Sequence, residues 1–357
     1  MRAPILLLGI ASLLTGADTP GPFGLDPATE QEAPPVAPGA DQQSPFGPDA
    51  KPGAGKPAPA LRPTSHRPWT DGLRAYCTEK NLSLTETGDG PVRLLNIGGA
   101  AVKGEEVLAY AKQTLAGYEM WTAQQQAFMS KTPAADDIYH LVVFKNDGDF
   151  SGLIDWFRAK QLLKAPEGAE DLTKKLGGFP ALRVMFAKGE GVTRIPGHWA
   201  IYATSCLAID AFYHARGEHR APAWIREGMA AEMQRLQLKS IRCTTIAYED
   251  RKDEAVENWA KEVARIISTR DQMAITASDV TRLSLNALPG AHYRQMWSLC
   301  AYVRGKCGTG KGAENPFLQL LTATAAGESS EVALKRILKL SDPTLTPAWR
   351  AWAVAQK

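Results

Sequence analysis

The stretch that decides the fold is residues 198–233, HWAIYATSCLAIDAFYHARGEHRAPAWIREGMAAEM. It predicts two helices joined by a short turn. Between Arg194 and Arg216 the only formally charged side chain is Asp210, so the first helix is apolar or small almost all the way round, as suits a helix running through a core. A single carboxylate in such a helix needs a partner or a purpose. The second helix is expected to start at Ala221-Pro222, where proline suits a first turn, and it carries Trp224, Glu227 and Gly228.

Working outward, the C-terminal flank shows apolar stripes at helical spacing over 254–268, 292–304, 316–324, 330–340 and 347–355, separated by Gly, Pro or Asn. The N-terminal flank reads differently. Residues 82–85 and 92–97, on either side of Gly88-Asp89-Gly90-Pro91, predict a pair of strands. Residues 102–129 carry a helical stripe at Val107, Leu108, Ala111, Leu115 and Tyr118. The β-branched and aromatic run 138–144 predicts a strand, and Lys145-Asn146-Asp147-Gly148-Asp149 a turn. A further strand is expected over 182–187, with 189–191 as a turn. The fold class is therefore α+β: a small strand and helix N-terminal layer over 69–197, followed by a mostly helical half over 198–357. The two-helix centre falls at the junction, where clefts commonly form.

Residues 1–17, MRAPILLLGIASLLTGA, have the early Arg, apolar run and small residues of a secretory signal peptide, which implies export to the periplasm, cell envelope or exterior. Residues 18–68 hold 13 of the chain's 24 prolines and few large aliphatics. Such a segment cannot bury enough surface to offset its ordering entropy, so a disordered spacer is expected. No later run approaches the roughly 20 apolar residues of a membrane span. The formal charge is +3 on 357 residues, which gives no global electrostatic case for a nucleic-acid partner.

Five cysteines, at 77, 206, 243, 300 and 307, are an odd number for an exported chain, so at least one should be unpaired. Cys300 and Cys307 are close enough to staple a helix end to the following loop, while mid-helix Cys206 is the candidate free buried thiol. Residues 305–311, GKCGTGK, match a phosphate loop in spacing but lack the preceding strand and the terminal Ser or Thr, and read as a connector. The segment 146–149 lacks the closing acid of a calcium loop.

Pro222-x-Trp224-x-x-Glu227-Gly228-x-Ala230 resembles the glutamate helix of the gluzincin metallopeptidases, specifically an exported bacterial peptidase-MA-like branch often described only as a domain of unknown function. In that family an HExxH helix comes first. Its two His and the later Glu hold zinc, and the Glu beside the first His activates water. Aligned back from Glu227, the motif falls on Cys206-Leu207-Ala208-Ile209-Asp210. The resemblance thus implies a gluzincin-like fold in which Cys206 and Asp210 stand at ligand positions, Leu207 stands at the catalytic base, and Glu227 alone is retained. Weaker likenesses at 138–150, read as a strand closing on Asp149-Phe150, and in the segments HYRQMWSLCAYV, NPFLQLLTATAAGESSEVAL and AWRAW extend it over about 82–352. Tyr293 is placed either as a transition-state hydroxyl or as core packing.

Three uses of the altered positions follow. Cys206, Asp210 and Glu227 could form an oxygen and sulfur set for zinc, although Leu207 cannot take a proton. Cys206 could be a nucleophile, but His198 and His214 each lie eight residues away, about 12 Å along a helix, leaving only His219 past the helix end. Shifting the motif to Asp210 and His214 leaves Ala211 at the base. Against the nucleophile reading, Tyr202, Cys206, Ile209 and Tyr213 are spaced as a packing seam in which the cysteine is a small apolar filler. The expected function is an exported, catalytically inactive metallopeptidase homologue with no catalytic residue and no cofactor, binding a peptide or protein in the former cleft. The alternatives are an active hydrolase with nonstandard ligands or a cysteine, and a structural envelope protein. Without metal, at least one of Asp210 and Glu227 should be paired with a basic side chain or protonated.

Overall fold

The run 139–144 is the buried middle strand of a five-stranded sheet. The computed structural model describes residues 67–122, 137–163, 174, 178–181, 183–216, 220–242, 256–284, 290–307 and 315–356. In chain order they form α1 (Arg67–Glu79), β1 (Leu84–Thr87), β2 (Val92–Ile97), α2 (Gly104–Thr122), β3 (Tyr139–Phe144), α3 (Asp147–Ala159), β4 (Gly178–Ala181), β5 (Val184–Lys188) and α4 (Gly189–Arg194). Helices follow: α5 (Pro196–His214), α6 (Ala223–Leu238), α7 (Val256–Ser268), α8 (Ala277–Arg282), α9 (Gly290–Cys307), α10 (Pro316–Ala325), α11 (Ser330–Leu338) and α12 (Asp342–Ala355). The class is α+β.

The sheet runs β1-β2-β3-β5-β4, with β2, β3 and β5 parallel and both edge strands antiparallel. Alternation along each strand sends side chains to opposite faces. Leu94, Leu141, Val143 and Met185 join a core with α2 and α5, while Leu95, Val142, Phe144 and Phe186 join a second core with α1 and α3. The first core continues through α5 and α6 to Trp349 of α12. The helical half therefore rests on the sheet, and α5 is the element that joins them.

Several expectations need correction. Residues 145–149 are not a turn, and the run 138–150 does not end as a strand at Asp149-Phe150. Asn146 is the N-cap of α3, whose first turn carries Asp147 and Asp149. Acids there complement the helix dipole, and Phe150, Leu153, Ile154 and Phe157 then recur at helical spacing on the buried face. Residues 189–191 likewise open α4 rather than a turn. A Cβ on Gly189 would collide with the backbone oxygen of Phe144, so glycine is what lets this helix start against the end of β3. Cys300 and Cys307 both lie in α9, seven residues or about 10 Å apart along its axis, and both are buried and unpaired. A bridge between them is excluded by that separation.

Helix α1 begins at Arg67, inside the segment read as spacer, with Pro68 in its first turn. Helix α12 begins at Asp342 and carries Pro347 internally, five residues before the expected start at 347. Elements α1, α8 and β4 were not expected at all. The signal peptide, the spacer up to 66, His219, Cys243 and residues 308–311 of the glycine-rich connector lie outside the described residues. No helix among the described residues is long and apolar enough to cross a membrane.

Candidate functional site

Helix α6 lies between α5 and α9, and each residue of the PxWxxEG segment has a traceable role in placing it. Pro222 is the N-cap, one position before the first helical residue. Trp224 is fully buried and donates its indole N–H to Ser330 Oγ at 2.9 Å, tying α6 to α11. Gly228 faces α9, where a Cβ would collide with Cβ of Cys300 and sit 2.8 Å from the backbone oxygen of Met296. The absent side chain lets the two helices touch backbone to backbone.

Opposite this face, α5 is buried at every position from Trp199 to Tyr213 except Asp210. Asp210 is 28% exposed, and its Oδ2 accepts from Nε of Arg226 at 3.2 Å. The same guanidinium donates from Nη1 to Glu227 Oε1 at 2.9 Å. Tyr202, one turn before Cys206, donates its hydroxyl to Glu227 at 3.2 Å to Oε1. A buried arginine thus bridges the two carboxylates that the gluzincin resemblance would align with metal ligands. Desolvation opposes the charge on Arg226, but Asp210 first, with smaller help from Glu227, raises its pKa well above the ordinary value.

Cys206 is buried and unpaired, as a packing seam requires. Burial pushes its thiol far above the usual cysteine range; Arg226 opposes this while Glu227 and Asp210 add to it. Leu207, at the expected base position, is fully buried and apolar. Tyr293, in α9, is 3% exposed, and its hydroxyl has no hydrogen-bond partner among the described residues. Burial and then the neighbouring Glu227 suppress its ionisation. His198 is engaged elsewhere, with Nε2 2.7 Å from Ser240 Oγ, and His214 stays two helical turns from Cys206. Sequence reasoning anticipated a cation for Asp210 or Glu227 but passed over Arg226. The signal was available, because Arg226 is the one basic residue in the apolar run 221–231 and adjoins the retained glutamate.

Zinc, which the gluzincin resemblance implies, does not fit these residues as arranged. A divalent ion held by both carboxylates would need to evict a guanidinium that cannot lose its proton. It would also need a thiolate from Cys206, the most deeply buried of the candidate ligands. Among the described residues no three His, Cys, Asp or Glu side chains are grouped to hold a metal ion. No protein-family model matches the chain, and no curated protein matches it.

A second buried ion cluster sits about one and a half turns further along α6. Glu232 is 0% exposed and accepts from Arg235 Nε and Nη2, both at 2.7 Å, from Arg304 Nη2 at 2.9 Å, and from Trp297 Nε1 at 2.9 Å. Burial works against its charge, but the Arg235 hydrogen bonds, both guanidinium charges and Trp297 outweigh it and hold the carboxyl below its ordinary range. Nothing in the sequence pattern had suggested this cluster.

The His198 contact gives a pH prediction. Burial first, then Arg242, lowers its pKa to about 4 from the usual 6.5. Between those values the unfolded chain binds a proton that the folded chain refuses, so this group makes stability rise with pH across that window. Urea unfolding at a series of pH values should show this slope in the native chain, and His198→Gln should flatten it.

Proposed function

We propose that the chain is an exported, noncatalytic protein on a gluzincin-like scaffold, acting by binding a peptide or protein rather than by cleaving one. The observation that carries this reading is the Arg226 guanidinium between Asp210 and Glu227. It engages both of the carboxylates that a metal would need, and Leu207 offers no group to activate water. Cysteine chemistry is disfavoured in turn, because the Cys206 thiol is buried and its thiolate strongly opposed. Of the three ionised groups only Asp210 reaches solvent appreciably, which favours a partner on the outer edge of the helix pair over a peptide threaded between them. The burial of the remaining groups favours a second reading, a structural envelope protein in which the ion cluster only secures the fold.

Metal analysis and peptide hydrolysis on the purified full chain test the proposal together. The expected result is no stoichiometric zinc and no cleavage of a mixed peptide library. Stoichiometric zinc that disappears on changing Cys206, Asp210 or Glu227 to alanine would overturn it. Cleavage that survives chelator but is lost in Cys206→Ala would establish the cysteine alternative instead. Export is checked by fractionating cells that express the full chain, where retention inside the cytoplasm would refute it.

A further inference from the structure

Asp210 and Glu227 belong to different helices, yet both present an oxygen to one planar group, Asp210 to its Nε edge and Glu227 to its Nη1. Tyr202 supports the glutamate from α5. Helices α5 and α6 therefore supply two carboxylates and one phenol to the cluster around a single cation. The side chains shown to face the guanidinium are two carboxylates, one of them backed by a phenol, a lining that favours a cation over a neutral guest.

We propose that Asp210, Glu227 and Tyr202 form a cation pocket shaped for a guanidinium, which Arg226 fills from within the chain, so that the pocket emptied of this side chain binds a free alkylguanidinium ion. The preference for a guanidinium over an ammonium follows from geometry. The two carboxylates are met by separate N–H groups of one rigid fork, whereas an ammonium is a point charge on a flexible stem. The preference over a divalent metal follows from distance. A metal requires its oxygens at about 2.0–2.6 Å from one centre, and the remaining candidate ligand, Cys206, is held protonated. The inference uses the same side chains as the noncatalytic reading but does not depend on any partner or on the absence of catalysis, so either can fail alone.

The test is thermal unfolding of the full-length Arg226→Ala chain at constant ionic strength, titrated with ethylguanidinium and, separately, with ethylammonium, sodium and zinc. The variant should be less stable than the native chain. Ethylguanidinium should restore it saturably, raising the folded-to-unfolded ratio about tenfold at ten times its dissociation constant. The native chain, its pocket filled, should show no such rise, and Arg226→Ala with Glu227→Gln should lose the response. Should Arg226→Ala not fold unaided, refolding yield with and without ethylguanidinium supplies the same reading. An equal response to ethylammonium or sodium, or none to any ion, would overturn the proposal. So would an Arg226→Lys chain as stable as the native one. Rescue by zinc that requires Cys206 would show a metal pocket instead.

Discussion

Glu232→Leu is expected to destabilise the fold by about 3 kcal/mol, the lower end of the range for breaking a buried ion pair. The carboxylate is wholly buried and accepts four hydrogen bonds, so its removal strands donors on α6 and α9 at once. The lower end applies because Arg235 and Arg304 are 31% and 29% exposed and can turn toward water once released. The Trp297 indole cannot, and it is left as a buried donor without an acceptor. Urea unfolding at neutral pH measures the loss. By contrast, Arg282→Ala, which removes an exposed partner of Glu331, should change stability by no more than about 0.5 kcal/mol. Equal losses from the two changes would show that burial does not set the strength of these pairs.

The same cluster has a defined pH signature. The folded-state pKa of Glu232 lies below its ordinary value, so the unfolded chain takes up the proton first as pH falls. Its contribution is complete above the ordinary carboxyl range and fades as pH drops through the depressed value. This acid-side loss begins at the lower end of the His198 window and extends below it; within that window stability changes for the opposite structural reason, a base kept neutral by burial. Glu232→Leu should remove the lower feature and leave the upper one.

What the sequence disclosed and what it hid follow from the range of the interactions involved. Strand 139–144 and the helices around Leu115, Asp210 and Leu320 were legible because their side-chain periods are local. Helix α3 was missed because Asn146, Asp147 and Gly148 serve equally as turn formers and as a helix start, and only the later spacing of Phe150, Leu153 and Phe157 separates the two. The Cys300 and Cys307 expectation failed because α9 continues to Cys307, three residues beyond the predicted end. Arg226 stood in the open but occupies a variable position of the motif used to align the chain, so attention fell on its neighbour. The Glu232 cluster was out of reach for a different reason: Trp297 and Arg304 lie 65 and 72 residues away in sequence. Local pattern carries no record of such a contact.

Gly228→Ala is expected to cost about 3 kcal/mol or more, despite alanine's advantage of about 1 kcal/mol within a helix. The new methyl would collide with Cβ of Cys300 and approach the backbone oxygen of Met296 to 2.8 Å. Neither atom is the free end of a flexible side chain, so α6 and α9 would have to separate, loosening Met296 and Cys300 against α6. Trimming Cys300 only to alanine keeps the offending Cβ and should bring no relief. Cys300→Gly should relieve the collision, so the double variant Gly228→Ala with Cys300→Gly should fall well short of the sum of the two single losses, as coupled neighbours do. Additive losses in urea unfolding would refute direct contact. The outcome bears on how the motif is understood, because the glycine after Glu227 is then required by helix packing alone. A PxWxxEG segment can on this account persist with no metal beside it, with Trp224 held by Ser330, Gly228 by α9, and the glutamate by an arginine.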